Sequence, residues 1–379
     1  MALVLSEEQE QLQESVREFL RDHSPVSRLR ELRDTRDADG FSRELWKQMA
    51  ELGWTGILFP EALGGSELGY AELGVVLEEL GRTLAPEPFV GTLLLAGNAI
   101  LLGGSEEQKQ AILPGICSGE RVAALAFQEQ GRFAPYAVAT RAEATGEGFR
   151  LTGEKRFVLD GHVADDLLVV ARSAGAAGER EGLTLFRVDP AAKGVEVNRT
   201  LMVDSRNAAR VKLGGVAVAR AAVVGEVDRG ADLLDPVFDR AAIGQAAELL
   251  GTLREAFDRT LEYLKTREQF GVPIGSFQAL KHRAAEMFCE VELSTSVVLE
   301  ALRAIDADSA EVPKLASAAK ARVSDTAALV SCEAVQMFGG IGMTDEEEIG
   351  FFLKRARAAE LAFGDAAYHR DRFASLCGY

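Results

Sequence analysis

The chain has 379 residues, enough for two or three domains around a sizeable core. Its composition, 47% hydrophobic and 27% charged, is that of an ordinary water-soluble globular protein. The net charge of −17 excludes nucleic acid or an anionic membrane as the main partner, so a site for a phosphorylated ligand must concentrate its cations and backbone N–H groups locally.

Met1–Leu5 has neither a basic stretch nor a long apolar run, so no leader is read there. No segment reaches the length of a membrane span. Ser6 with Gln9 predicts a capping box that opens a first helix, and Leu12, Val16, Phe19 and Leu20 keep its period. A loop is expected over Phe59–Ser66, after which Leu73, Val76, Leu77 and Leu80 resume the helical spacing. Near Val122 the texture changes to short apolar runs between turn residues. Ala123–Phe127, Phe149–Leu151, Leu167–Ala171, Leu183–Val188, Val195–Val197 and Val211–Val218 read as strands, with turns at Gly146, Gly153, Gly161 and Pro190. Ser173–Gly182 reads as an exposed loop.

Asp235-Pro236 predicts a helix start, because Asp caps well and Pro suits the first helical position. Ile243, Ala247, Leu250, Leu253, Phe257, Leu261 and Leu264 mark its apolar face. Further helices are expected over Gln278–Asp306, over Pro313–Phe338 and from Thr344 to the end, with the acidic run Asp345–Glu348 at the start of the last. The expected architecture is α+β: an N-terminal helical domain (1–121), a middle, mostly antiparallel β domain (122–231) and a C-terminal four-helix bundle (232–379).

Cys117, Cys289, Cys332 and Cys377 form no CxxC pair. Three lie in helical or apolar stretches, which predicts buried free thiols and a reducing cytoplasm. His23, His162, His282 and His369 do not cluster at metal-ligand spacing, so no metal is expected. Gly148–Lys155 misses a phosphate-binding loop, since no Ser or Thr follows the Lys and the context is a hairpin.

The informative feature is a pair of glycine-punctuated segments, each at the end of a long helical pattern. One is Arg267-Glu268-Gln269-Phe270-Gly271 with Phe277-Gln278; the other is Gln336-Met337-Phe338-Gly339-Gly340-Ile341-Gly342. A bare backbone, a forked cation and neutral amides are what a dinucleotide pyrophosphate needs. The two segments resemble the flavin-binding motifs of the acyl-CoA dehydrogenase family. Gly53-Trp54 with Pro60-Glu61 and Gly64-Gly65 is similar to that family's N-terminal signature. Leu151-Thr152-Gly153-Glu154-Lys155 resembles the hairpin before its flavin ring, and Asp204-Ser205-Arg206 a turn of its β domain. The likeness runs over residues 6–375.

The resemblance implies a tetramer with FAD bound between subunits, an acyl-CoA substrate and an electron-transfer flavoprotein as acceptor. It implies that Arg267, Gln269, Phe270, Gln278, Gln336, Gly339 and Gly340 serve the FAD of a neighbouring subunit. Phe157 and Glu129 would lie by the flavin, and Arg240 and Arg132 would serve the substrate. The reaction needs a carboxylate to take a proton next to the thioester carbonyl, while hydride leaves the next carbon.

Three positions depart from the family pattern. Phe363-Gly364-Asp365 stands where the family has its Tyr-Glu-Gly base segment, so Gly364 replaces the base. Gln128-Glu129-Gln130-Gly131-Arg132-Phe133-Ala134 replaces a glycine–serine flavin loop, and Leu159 replaces a hydroxyl residue. Asp239, where some members carry the base, and Asp365 are the candidate replacements. Each acid has a plain structural role open to it: Asp239 in a first helical turn, Asp365 paired with Arg370 or His369. The expected function is FAD-dependent oxidation of an acyl-CoA, of fatty or steroid side-chain type, to the trans-2-enoyl-CoA. The alternative is a partly degenerate partner subunit of a heterotetrameric dehydrogenase. A flavoprotein of the same fold with an Asp base, such as a nitroalkane oxidase, is a third reading.

Overall fold

The computed structural model describes residues 4–379; Met1, Ala2 and Leu3, read above as part of a leaderless start, lie outside the described residues. The helices before the sheet are α1 (Glu7–His23), α2 (Val26–Thr35), α3 (Arg43–Glu51), α4 (Tyr70–Thr83), α5 (Asn98–Gly103) and α6 (Glu106–Cys117). The strands are β1 (Ala123–Ala126), β2 (Arg141–Ala144), β3 (Gly148–Leu159), β4 (Asp166–Arg172), β5 (Leu183–Val188), β6 (Val195–Leu201), β7 (Asn207–Ala219) and β8 (Val223–Val224). Then come α7 (Gly230–Thr266), a small hairpin of β9 (Glu268–Gln269) and β10 (Val272–Pro273), α8 (Gln278–Asp306), α9 (Val312–Phe338), α10 (Ile349–Leu361) and α11 (Ala366–Leu376). Among the described residues no helix is long and apolar enough to cross a membrane.

Local chemistry accounts for several of these elements. Ser6 and Gln9 form the reciprocal capping box of α1, and Ser105 with Gln108 repeats it on α6. The β strands form one sheet in the order β6-β7-β3-β2-β4-β5-β8, with β1 pairing in parallel with β4. Most of its pairings are antiparallel. Its core is built from inward side chains such as Leu151, Leu167, Val169, Phe186 and Val211.

Several expectations need correction. Gly153 makes no turn; it lies inside β3, paired with Leu213 beside a register shift. Strand β2 was missed, because Arg141-Ala142-Glu143-Ala144 carries one apolar side facing in and has no strand-forming composition. Helix α7 starts at Gly230, with Pro236 inside it. Asp235 does not cap it: its carboxylate takes the Tyr136 hydroxyl proton donor and pairs with Arg180 at 2.5 Å. Asp239 is therefore past the first turn, and the dipole explanation for it falls away. The last helical pattern starts at Ile349 and breaks at 362–365, giving two helices in place of one. The acidic run precedes it, with Asp345 bonded to Arg30 at 3.1 Å and Glu348 to Arg259 at 2.7 Å. Of the cysteines only Cys117 is buried; Cys289 and Cys332 lie on outward helix faces, and Cys377, just past the end of α11, is exposed.

The chain divides into two compact units. One comprises residues up to Glu31, Tyr70–Ala85 and Ala242–Tyr379; the other comprises Leu32–Gly69 and Pro86–Ala241. In the first, α9 packs on α8, α10 and α11. The second holds the sheet.

Candidate functional site

In the unit with the bundle, α7 hands over to the β9–β10 hairpin, whose turn residues are Phe270 and Gly271 at φ +56° and +77°. Positive φ at both positions is the mirror-image turn that matches the twist of a tight hairpin. It lifts Phe270 into solvent at 92% exposure. Arg267 at the hairpin base is exposed, and its guanidinium forms no ion pair among the described residues. Gln269 is exposed too, its amide donating to the Glu268 carbonyl. Gln278 begins α8, whose first N–H groups receive no side-chain cap.

Tyr263, near the end of α7, stacks on Phe338 at 4.3 Å and donates its hydroxyl to the Phe338 carbonyl at 3.3 Å. Arg283 of α8 pairs with Glu333 of α9. These contacts gather the hairpin, the start of α8 and the Gly339–Gly340 turn at one end of the bundle. Gly339 has φ +66° and ψ −140°, a combination that side chains disfavour. Nothing lies within 4 Å of where a Cβ on Gly339 or Gly340 would stand. An unpaired cation, the exposed amides of Gln278 and Gln336, an uncapped helix start and open backbone together fit an extended diphosphate. The residues present therefore suit the FAD expected from the sequence.

The same unit holds the Gly364 segment. Gly364 lies at φ +102°, and a Cβ there would stand 2.4 Å from Tyr368 Cδ1 and 3.0 Å from His369 Nε2. Backbone and neighbours alike oppose a glutamate at this position. Asp365 is the N-cap of α11, accepting from the Tyr368 N–H at 2.9 Å. Its expected side-chain partners are engaged elsewhere: Arg370 pairs with Asp325, and His369 Nε2 meets the Phe363 carbonyl at 2.9 Å.

In the unit with the sheet, Lys155 of β3 is fully buried. Its ammonium donates to Glu129 Oε1 at 2.6 Å and to the Phe127 carbonyl at 3.2 Å. Glu129 also accepts from the N–H groups of Ala139 at 2.7 Å and Thr140 at 3.0 Å. Burial lowers the Lys155 pKa to about 8 against the opposing pull of Glu129. Burial works to raise the Glu129 pKa, but the Lys155 charge and the hydrogen bonds outweigh it and hold the carboxyl below its ordinary value. The Glu129 side chain is thus turned inward and pins its loop; the expectation that it faces a cofactor is corrected.

After Lys155 the strand bulges, and Phe157 sits at φ +51° with its ring exposed. A bulge redirects a side chain, and positive φ is uncommon for an aromatic residue. The Arg156 N–H donates to the Gln128 carbonyl at 2.8 Å, tying bulge to loop. Phe238 of α7 packs on Phe127 at 4.8 Å and on Phe133 at 5.4 Å, tying the loop to α7. The next residue, Asp239, is buried at 4% exposure. Arg240 is half-buried, donates to the Pro236 carbonyl at 3.1 Å, and lines a cleft of about 360 Å³ with Leu102, Arg229 and Leu233. Arg132 is exposed on the loop. Glu129 and Phe157 are thus drawn to one loop, and α7 is tied to the same loop through Phe238.

Two buried lysines escaped the sequence reading as functional residues. For Lys320 a signal existed: it falls on the core-facing period of α9 with Ala316, Ser317, Val323 and Ser324.

Residues 6–120, 125–213 and 228–376 match the family models described as acyl-CoA dehydrogenase N-terminal, middle and C-terminal domains. A mitochondrial isovaleryl-CoA dehydrogenase of Pongo abelii is 29% identical over 97% of this chain and 88% of its own. The acyl-CoA dehydrogenase FadE27 of Mycobacterium tuberculosis is 30% identical over 86% of each chain. Among solved structures, a variant of the Tcur3481–Tcur3483 steroid ACAD is 32% identical, with TM-score 0.87 and 98% of each chain covered. The ChsE4–ChsE5 complex from Mycobacterium tuberculosis is 28% identical, with TM-score 0.88 and 100% of each chain covered.

Proposed function

The chain belongs to the acyl-CoA dehydrogenase family, an FAD-dependent oxidoreductase acting on acyl-CoA, and from that premise we propose that it forms a trans-2-enoyl-CoA with Asp239 as the base. Two separate observations, one in each compact unit, carry the assignment. Gly364 is held in a backbone that opposes a glutamate, while Asp239 is a carboxylate of α7 at 4% exposure. Asp365, engaged as a helix cap, is the second candidate.

In this reading Asp239 takes the proton from the carbon next to the thioester carbonyl, and burial limits the competing access of water. The hydride that leaves the adjacent carbon would go to FAD, which supplies the acceptor when bound. Arg267, Gln278, Gln336 and the Gly339–Gly340 backbone would hold the diphosphate of a neighbouring subunit's FAD, with Gln269 and Phe270 of the hairpin beside it. Phe157 would lie at the flavin, and Arg240 and Arg132 would serve the CoA part of the substrate. Exposed Phe270 is covered by another subunit of a homo- or heterotetramer. An electron-transfer flavoprotein takes up the electrons. The division into domains at 121/122 and 231/232 and a cytoplasmic location belong to the same proposal, the latter supported by four free cysteines.

The acyl group is proposed to be bulky, of steroid side-chain type. Support comes from the likeness to a steroid ACAD. The partner-subunit reading is not favoured, since relatives along nearly the whole chain carry enzyme names.

Asp239→Asn is expected to slow acyl-CoA-dependent flavin bleaching by roughly 10²- to 10⁴-fold with the FAD-to-chain ratio unchanged. Bleaching at the wild-type rate in that variant would remove Asp239 from the role. A wild-type chain that folds yet takes up no FAD would instead favour the partner-subunit reading.

A further inference from the structure

The acidic run Asp345–Glu348 takes no part in the chemistry above, and it stands in an unfavourable place. It follows the Gly339–Met343 turn after a single residue, Thr344, whose N–H and hydroxyl both donate to the Ile341 carbonyl, at 3.0 and 2.7 Å. A 3-10 turn advances about 2 Å per residue and an extended residue about 3.3 Å, so the run begins about 13 Å or less from Gly340. At that range carboxylates repel an anionic diphosphate wherever salt is low, because the Debye length is about 30 Å at 0.01 M and about 10 Å at 0.1 M.

The acids are met by cations from other helices of the same unit. Arg30 of α2 bonds Asp345 Oδ2 at 3.1 Å and donates to the Asp345 carbonyl and, at 3.5 Å, to the Glu346 carbonyl. Its guanidinium also lies 4.7 Å from the centroid of the Phe351 ring on α10. At the far end of the run Arg259 of α7 pairs with Glu348 at 2.7 Å and lies 5.1 Å from the Phe352 centroid. Between them the Glu347 carboxylate accepts the Glu348 N–H at 2.9 Å. The turn itself is backed by α9: a Cβ on Gly342 would stand 2.8 Å from Phe338 Cβ and 2.9 Å from the Val335 carbonyl oxygen. The Arg30 and Asp345 side chains are 24% and 59% exposed, and an ion pair so exposed adds little to stability. Stability alone is therefore a poor account of three contacts from one guanidinium to one short segment.

We propose that Arg30 is a positioning and counter-charge residue for the FAD diphosphate: it neutralises Asp345 and holds the acidic segment in place, so that an anion can be seated at the neighbouring Gly339–Gly340 backbone. The proposal rests on the reading that seats the diphosphate of a neighbouring subunit's FAD at that turn. Arg259 offsets Glu348 in the same way, but it also pairs with Glu255 at 2.8 Å, so Arg30 gives the cleaner measurement.

The test follows FAD release from the holoenzyme on dilution, read by flavin fluorescence in about 0.01 M and about 1 M salt. Arg30→Gln removes a cation and should weaken FAD binding about fivefold in low salt and about twofold or less in high salt. Asp345→Asn removes an acid and should tighten it about threefold in low salt. The double variant should return close to wild type. Opposite signs from the two halves of one contact follow from a counter-charge; a contact that only held the segment would weaken FAD binding in both variants. Equal losses in both, unmoved by salt, overturn the counter-charge role. Unchanged FAD retention in Arg30→Gln overturns any role for the residue. If Arg30→Gln does not fold, Asp345→Asn decides: FAD held no tighter in low salt overturns the proposal. The reading beneath it fails separately. Arg267→Gln that keeps FAD as wild type does would remove the diphosphate from this end of the bundle, whatever the Arg30 variants show.

Discussion

Two lysines reach zero exposure in this protein, one in each compact unit, and they are accommodated in opposite ways. Lys155 is neutralised by a carboxylate at 2.6 Å, and that carboxylate is itself held by two backbone N–H groups. Lys320 has no such counter-charge and is solvated by two carbonyls and a hydroxyl. The outcome shows in their pKa values, about 8 for Lys155 and about 7 for Lys320, both lowered chiefly by burial. In each case the buried charge holds a segment whose backbone departs from regular structure: the Gln128–Ala134 loop beside the Phe157 bulge, and the Phe363–Gly364 turn. The lesson is that a buried cation can organise irregular backbone either through an intermediary carboxylate or directly.

The largest expected effect breaks the first arrangement. Glu129→Gln leaves the Lys155 ammonium buried without a counter-charge and should cost about 3–5 kcal/mol, read as a lower denaturant midpoint. A loss below about 1 kcal/mol would mean that water reaches Lys155, and the contrast between the two lysines would collapse.

The pH dependence of stability sharpens the comparison next. For both lysines the folded pKa lies below the unfolded value, so between the two values the unfolded chain binds a proton that the folded chain does not. Stability contributed by these groups therefore rises with pH, from about 7 to 10.5 for Lys320 and from about 8 to 10.5 for Lys155. Lys320→Met should remove the part of the rise that begins near pH 7 and leave the later part. Glu129→Gln should move the onset of the Lys155 window below 8. Unfolding midpoints measured from pH 6.5 to 10 would show whether the two onsets separate. His369 acts at the other end. With a folded pKa of about 3 against 6.5, its contribution is lost as pH falls through that window.

The smallest effect trims the second arrangement. Ser324→Ala removes one of three acceptors around Lys320 and should cost about 1 kcal/mol. An effect as large as that of Glu129→Gln would mean that Ser324, rather than the carbonyls, carries the lysine.

Much of the fold was legible in the chain. The β5 span Leu183–Val188 was read to the residue, α8 was expected from Gln278 to about Asp306, and the Ser6–Gln9 box was found where expected. Of the site, the family motifs pointed to Arg267, Gln278, Gln336 and Gly339–Gly340, which the bundle does gather at one end. The inward role of Glu129 was not legible, because its partner Lys155 comes from another strand. The capping role of Asp365 was hidden by an unrecognised helix break.

What the sequence determined alone is short-range: helical and strand periods, caps and glycine punctuation, each set by residues a few positions apart. The tertiary structure decided what depends on distant partners. It placed Lys320 inside, though lysine ordinarily stays in water, because carbonyls from a turn some forty positions onward replace that water. It turned Cys289 and Cys332 outward on helices whose period alone does not say how wide the buried face is. It also divided the final helical pattern at Gly364, where two successive left-handed residues are tolerable only because buried side chains from α9 and α11 hold the carbonyls they leave free.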